Sequence, residues 1–240
     1  MGLGADGSLW EEHVAAYAKH FRCIVPDNRG AGRSEKPPGP YTTAMMAKDT
    51  AGLMAAIGIE RAHVSGISMG GAICQELAIR YPDRVRSLTV TSSWPRCSAY
   101  TRRIFEVFRA LAATSDRQAF IRLVYLWIFT PSTHERNLDD LLRREAKVLA
   151  NPYPMPLHAY QAQCDACIGH DALERLGRIA VPTLVVVGDR DIYTLLDYSV
   201  TIAQRVPWAQ LQVLSGCGHA CHWEKLEEFN SATTAFMLAH

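Results

Sequence analysis

At 240 residues, with 48% hydrophobic and 20% charged residues and a formal net charge of +1, the chain has the composition of one globular domain or one domain carrying an insertion. It is long enough to bury about 70 to 75% of its unfolded surface without a disulfide or metal staple. The near-neutral balance gives no electrostatic case for nucleic acid or an anionic membrane, so a small-molecule partner is expected, and homo-oligomerisation is compatible with the sequence. The N-terminus lacks the basic and apolar regions of a signal peptide and no run of about 18 apolar residues exists, so a cytoplasmic location is expected.

In chain order, the opening stretch MGLGADGSLW (Met1–Trp10) is glycine-rich and has no strand before it. Five segments read as buried parallel strands: Arg22–Pro26, His63–Ile67, Ser87–Ser92, Pro182–Gly188 and Gln210–Leu214. Each is apolar, largely β-branched and bounded by turn residues. Helical periodicity fills the gaps over Met45–Ile57, Gly71–Tyr81 and Glu224–Leu238, the last with an apolar face at Leu226, Phe229, Phe236 and Met237. Alternation of strand and helix predicts an α/β fold, a mostly parallel sheet flanked by helices.

The alternation breaks between Trp94 and about Ile179, where helical patterns carry Phe105, Phe108, Phe120, Tyr125, Trp127, Phe129 and Tyr160. This predicts a helical cap over residues 96–177, inserted into a core formed by residues 1–95 and 178–240. Asn151–Pro156, NPYPMP, punctuates the cap as a rigid loop because each proline fixes its own φ and restrains the residue before it.

Seven cysteines are an odd number and fit reduced thiols better than a paired framework. Cys164 and Cys167 with Cys217, Cys221 and His222 could in principle supply four zinc ligands. Small buried apolar residues are the stronger reading. No metal and no cofactor is expected.

The sharpest chemical signal is His63–Gly71, HVSGISMGG, an apolar strand running into Gly-x-Ser-x-Gly and then a helical pattern. A serine at such a turn is held in a strained conformation, and glycines on either side let neighbouring backbone come close. The following helix start aims free amides at the reacting oxygen, so the N–H of Met69 is one expected oxyanion donor. Serine is a weak nucleophile at its own pKa and needs a base oriented by an acid. Acids follow the strand ending at Gly188, as Asp189 and Asp191, and His219 follows the strand ending at Leu214. The order serine, acid, histidine, each just past the carboxyl end of a parallel strand, is that of a hydrolase built on an open α/β sheet.

Over essentially its whole length the chain resembles the α/β-hydrolase superfamily. Asp27–Ser34, DNRGAGRS, looks like the loop after that family's fourth strand, and Ile179–Gly188 looks like its seventh strand, placing the cap after the sixth. The resemblance implies the triad Ser68, Asp191 and His219, since the family pattern is Gly-x-x-Asp and its base follows a glycine. Asp189 and His222 are then expected at the surface or behind the site, and His170 as a helix-start residue beside Asp171. A nucleophilic serine argues against the dehalogenases, which need an aspartate there. Cys164–Leu173 leading into Arg178–Val185 resembles the cap exit of enol-lactonases and acyl-homoserine lactone esterases. The resemblance therefore implies a serine esterase or lactonase acting through an acyl-enzyme on small, largely apolar substrates. Two alternatives are a truncated or non-catalytic relative, and carbon–carbon bond hydrolysis or perhydrolysis on the same triad. About half of the cap aromatics are expected to line the pocket, with Trp94, Trp127, Phe129 and Tyr160 as candidates.

By the same resemblance, Gly2–Gly4 belongs to the loop after the family's third strand, where Leu3 N–H supplies the second oxyanion donor. The chain thus starts where roughly the first three strands, about 25 to 30 residues, are expected to have been laid down. Two inner strands, near Cys23 and Val64, would face each other about 9 to 10 Å apart at the usual strand spacing. Either they pair directly or the protein is marginally stable with Leu3 poorly held.

Overall fold

The computed structural model describes all of residues 1–240. Four parallel strands form one sheet in the order β1 (Ala62–Ile67), β2 (Val85–Thr91), β3 (Thr183–Gly188) and β4 (Gln210–Leu214). Helices α1 (Glu11–Tyr17) and α2 (Thr43–Ala56) precede β1, and α3 (Met69–Arg80) connects β1 to β2. Five helices lie between β2 and β3: α4 (Ala99–Thr114), α5 (Arg117–Ile128), α6 (Pro131–Arg136), α7 (Leu138–Leu149) and α8 (Leu157–Ile168). Then α9 (Leu196–Arg205) joins β3 to β4, and α10 (Cys221–Glu224) and α11 (Leu226–Leu238) close the chain. No helix is long and apolar enough to cross a membrane.

The helix starts carry their own caps. Thr42, Ser98, Asp116 and Thr130 each accept a bond from the backbone N–H three residues on, at 3.0 to 3.3 Å, satisfying one donor the helix cannot use. In β3 every residue is buried, as a central strand covered on both faces demands. Period-2 alternation sends Val185 to the main core, with Leu88, Val90, Leu77 and Phe105, and sends Leu184 and Val186 to a second core with Trp10, Tyr17, Phe229 and Phe236. Each such side chain contributes roughly 1.5 to 3 kcal/mol on leaving water.

The expected strand at Arg22–Pro26 does not form. That segment is extended and unpaired, and the edge of β1 facing it also has no strand partner. Direct pairing, one of the two expected outcomes, is therefore not the one adopted. A groove of about 440 Å³ separates the two segments, lined by Cys23, Val25, Val64, Cys74 and Met237, with Met1 at one end. At one point side chains from the two sides meet: the ring of Phe21 stands edge-on to His63 with centroids 5.4 Å apart. Propensity marked Arg22–Pro26 as strand-like, but a strand needs a neighbour at hydrogen-bonding distance.

Candidate active site

Ser68 ends β1 and begins α3 with φ 57° and ψ −120°, a left-handed conformation that a serine occupies only where its surroundings impose it. Three contacts do so. Its N–H donates to the carbonyl of Thr91 at 2.9 Å, and its own carbonyl accepts from Ser93 Oγ at 2.9 Å and from Ala72 N–H at 3.1 Å. The flanking glycines are required by space. A Cβ on Gly66 would strike the carbonyl of Gly70, and one on Gly70 would lie 2.9 Å from the carbonyl oxygen of Met1.

Asp191 and His219 arrive from the ends of β3 and β4, which lie beside each other in register, Gly188 against Leu214. His219 Nδ1 is 2.9 Å from Asp191 Oδ2 and 3.0 Å from Thr194 Oγ1. The Thr194 hydroxyl donates to the same carboxylate oxygen at 2.7 Å, so its own oxygen remains free to accept. Both neighbours of Nδ1 are thus acceptors, which places the proton on Nδ1 and leaves Nε2 with the lone pair. The other carboxylate oxygen, Oδ1, accepts from the N–H groups of Tyr193 and Thr194, each at 2.8 Å. The carboxylate is fully occupied, and the imidazole is held through it. Ser68 and His219 are both buried, with 4% and 5% exposure. All hydrogen bonds of the imidazole run through Nδ1, and none joins Nε2 to Ser68.

The two segments that carry the expected oxyanion donors, Met69 and Gly2–Gly4, both adjoin Ser68. Met69 begins α3, where the first N–H groups have no helical acceptor. Gly2 lies against Ser68: a Cβ there would be 3.1 Å from Ser68 Cβ and 3.6 Å from its Oγ. Gly2–Ala5 forms a turn closed by Ala5 N–H to the Gly2 carbonyl at 3.3 Å, with Gly4 at φ 74°. Leu3 sits inside that turn, packed against the main core.

The aromatic candidates divide. Trp94 is fully buried, 5.2 Å from Phe105 and 6.2 Å from His170 between ring centroids, so its side chain is core rather than pocket wall. Phe129 belongs to a separate cluster with Tyr125 and stacks on Trp223 at 6.0 Å. Trp127 and Tyr160 remain half-buried. Tyr160 lies against Gly4, where a Cβ would come within 2.9 Å of its ring, and Trp127 meets Phe108 edge-on at 6.2 Å. Tyr193, not singled out by the sequence, is buried against His219: its ring meets His219 at 4.6 Å and Phe108 at 5.6 Å. Its position two residues after Asp191 was the only available signal.

Other titratable groups have structural places. Asp189 accepts from Gly216 N–H at 2.7 Å and Ser215 Oγ at 3.1 Å, shaping the turn after β4. His222 is buried beneath the site, not at the surface, with neither ring nitrogen partnered, beside His13 at 5.5 Å. His170 lies just before the 3₁₀-helix Leu173–Arg178, beside Asp171, whose Oδ1 accepts from Leu173 N–H at 3.2 Å; it is buried, its Nδ1 3.0 Å from Thr43 Oγ1, and burial pushes its pKa down to about 4. Cys164 and Cys167 are buried among the inserted helices while Cys217 and Cys221 pack in the core beyond the sheet, so the two pairs do not converge. Burial pushes the thiols of Cys164 and Cys217 up to about 12.

The sequence matches the alpha/beta hydrolase fold family over residues 1–226. A relative from Azorhizobium caulinodans named "Putative carbamate hydrolase RutD" is 32% identical over 235 residues, spanning 98% of this chain and 88% of its own length. The solved structure of the enol-lactonase from Burkholderia xenovorans LB400 superposes with a TM-score of 0.90 at 29% identity, covering 99% of this chain and 88% of that one. Est816, described as an N-acyl homoserine lactone degrading enzyme, superposes with a TM-score of 0.84 at 26% identity over 98% of this chain and 90% of its own. The matched sequence, the parallel sheet and the strained turn at Ser68 agree, and the chain belongs to the α/β-hydrolase fold family as one of its hydrolases.

Proposed function

We propose that this hydrolase cleaves carboxylic ester or lactone bonds of small, largely apolar substrates through an acyl-enzyme on Ser68. The observation that carries the reading is the Asp191–His219 pair, hydrogen-bonded at 2.9 Å in the tautomer that leaves Nε2 basic, at the same sheet end as the strained Ser68. His219 Nε2 takes the proton as Ser68 Oγ attacks the carbonyl carbon, while Asp191 holds the ring and stabilises the imidazolium. The N–H groups of Met69 and Leu3 receive the charge that develops on the carbonyl oxygen. Collapse expels the alcohol, protonated by His219, and water activated by the same base then releases the acid. The inserted helices act as a cap, whose Trp127, Tyr160 and Phe108 with Tyr193 give the acyl group an apolar wall.

The test is hydrolysis of p-nitrophenyl acetate and butyrate together with labelling by a fluorophosphonate. Ser68→Ala should abolish both while leaving the thermal melt unchanged. Retained turnover in that variant would sink the proposal. A second reading follows from the relative named for carbamate hydrolysis. The same residues would attack a carbamate carbonyl, and comparing ester, lactone and carbamate substrates by kcat/KM ranks the two.

A further inference from the structure

Gln163 lies on α8, in the inserted helical layer, and is completely buried. Both ends of its amide are engaged across long stretches of chain. Oε1 accepts from the N–H of Gly4 at 3.0 Å, and Nε2 donates to the carbonyl of Arg29 at 2.9 Å. This pairing also fixes which end is which, because an N–H requires the oxygen and a carbonyl requires the nitrogen.

The N–H held by Gln163 belongs to the Leu3–Gly4 peptide, the central peptide of the Gly2–Ala5 turn. That is the peptide that rotates when a β-turn passes between its two common forms, and glycine at the third position lowers the barrier of strain against either. One other side chain bonds to this segment's backbone: Asn28 Nδ2 donates to the carbonyl of Met1 at 3.3 Å. Asn28 precedes Arg29, so both amides tie the same two loops together. Between these two ties along the chain lies Leu3, whose N–H is the second donor in the site proposed above.

We propose that Gln163 is a positioning residue for the oxyanion hole. It fixes the Leu3–Gly4 peptide so that the turn presents Leu3 N–H toward the oxygen that becomes negative when Ser68 attacks. Its neighbour one helical turn earlier, Tyr160, packs its ring on Gly4. The helical layer that covers the site therefore also sets the geometry of a transition-state donor. This inference rests on the reading of Ser68 as nucleophile and Leu3 as donor.

The test compares wild type with Gln163→Met, which keeps the volume and loses both hydrogen bonds, and Gln163→Glu, which keeps an acceptor for Gly4. On p-nitrophenyl butyrate, kcat of Gln163→Met should fall about 10- to 100-fold with KM within about threefold, since the lost contact acts on the transition state. Affinity for phenylboronic acid, whose adduct with Ser68 Oγ places an oxygen in the hole, should fall by the same factor as kcat/KM. Gln163→Glu should recover part of the loss, and amide exchange at Gly4 should quicken in Gln163→Met. A lowered melting temperature with unchanged kcat, boronate affinity and Gly4 exchange would assign Gln163 a merely structural role and overturn the proposal. Were wild type itself unable to hydrolyse esters or to be labelled at Ser68, the proposed function would fall; Gly4 exchange would still decide whether Gln163 holds the turn. If Gln163→Met fails to fold, the same kinetic, boronate and exchange comparisons on Gln163→Leu, which also lacks the acceptor for Gly4, decide, with wild-type values throughout overturning the proposal.

Discussion

His219 Nδ1 and Asp191 Oδ2 stand 2.9 Å apart, and the hydroxyl of Thr194 bridges them, 2.7 Å from the carboxylate and 3.0 Å from the ring. The bridge gives Asp191 a further donor while its own oxygen shares the ring proton with the carboxylate. Thr194→Val should cost about 1.5 to 3 kcal/mol of stability, the range for hydrogen bonds to a charged group, and lower kcat about tenfold. Asp191→Asn should lower kcat about 10⁴-fold by stabilising the wrong tautomer. Steady-state kinetics on a p-nitrophenyl ester checks both; full activity in Thr194→Val would show that backbone donors alone hold Asp191.

Glu224 secures the loop that carries the base. Oε2 accepts from Gly218 N–H at 2.5 Å, and Oε1 accepts from Thr130 N–H and Oγ1, each at 2.8 Å, and from Thr133 Oγ1 at 2.5 Å. One carboxylate thus ties the residue before His219 to the start of α6. Glu224→Ala leaves several donors without a partner and should cost about 2 to 3 kcal/mol, or roughly 4 to 12 °C in Tm at 2 to 4 °C per kcal/mol. A melt within 2 °C of wild type, to order of magnitude the scatter of such an experiment, would show that water replaces the carboxylate.

Three buried histidines make stability depend on pH. Burial lowers the pKa values of His13, His170 and His222 below the 6.5 of a free imidazole, His170 to about 4. The unfolded chain therefore takes up protons first as pH falls. Their contribution is complete above about pH 6.5 and is lost progressively toward pH 4, by about 3 kcal/mol for His170 alone at 1.36 kcal/mol per pKa unit. Urea midpoints at pH 7.5, 6 and 5 should decrease in that order; an invariant midpoint would refute the assignment.

Met1 tests the groove beside β1. Burial there lowers the pKa of its amino group, so the charged form is disfavoured in the folded state. Acetylating that group, or extending the chain upstream so that a peptide replaces it, should raise Tm by roughly 2 to 4 °C for about 1 kcal/mol recovered. If a strand-like extension also occupies the groove, amide exchange along the exposed edge of β1 should slow, and ester turnover should rise as the Met1–Gly4 segment tightens. Equal Tm, exchange and turnover in both forms would show that the groove imposes no cost.

Local chemistry was legible wherever the reason for a residue is local. The Gly-x-Ser-x-Gly turn at Ser68 and the buried run of β3 are written in a few consecutive residues each, because a strained turn and a two-sided strand each impose their own composition, whereas Asp189 and Asp191 both follow β3 and only the family resemblance favoured Asp191. Partnership across the chain left no such mark. Arg22–Pro26 has the residues of a strand and lacks a neighbour, and Trp94 and Phe129 have the residues of a pocket wall and pack into cores instead. A single glutamine in a helical pattern carries no periodic signal, so Gln163 became visible only when folding set it 159 residues from Gly4 in sequence and 3.0 Å away in space. The sequence by itself carried the pattern, since a serine in a strand-to-helix turn, an aspartate and a histidine are given by residue type and by order along parallel strands. Which atoms hold those groups in place was decided by tertiary packing, because hydrogen bonds reach about 3 Å and only the folded chain brings their partners within that distance.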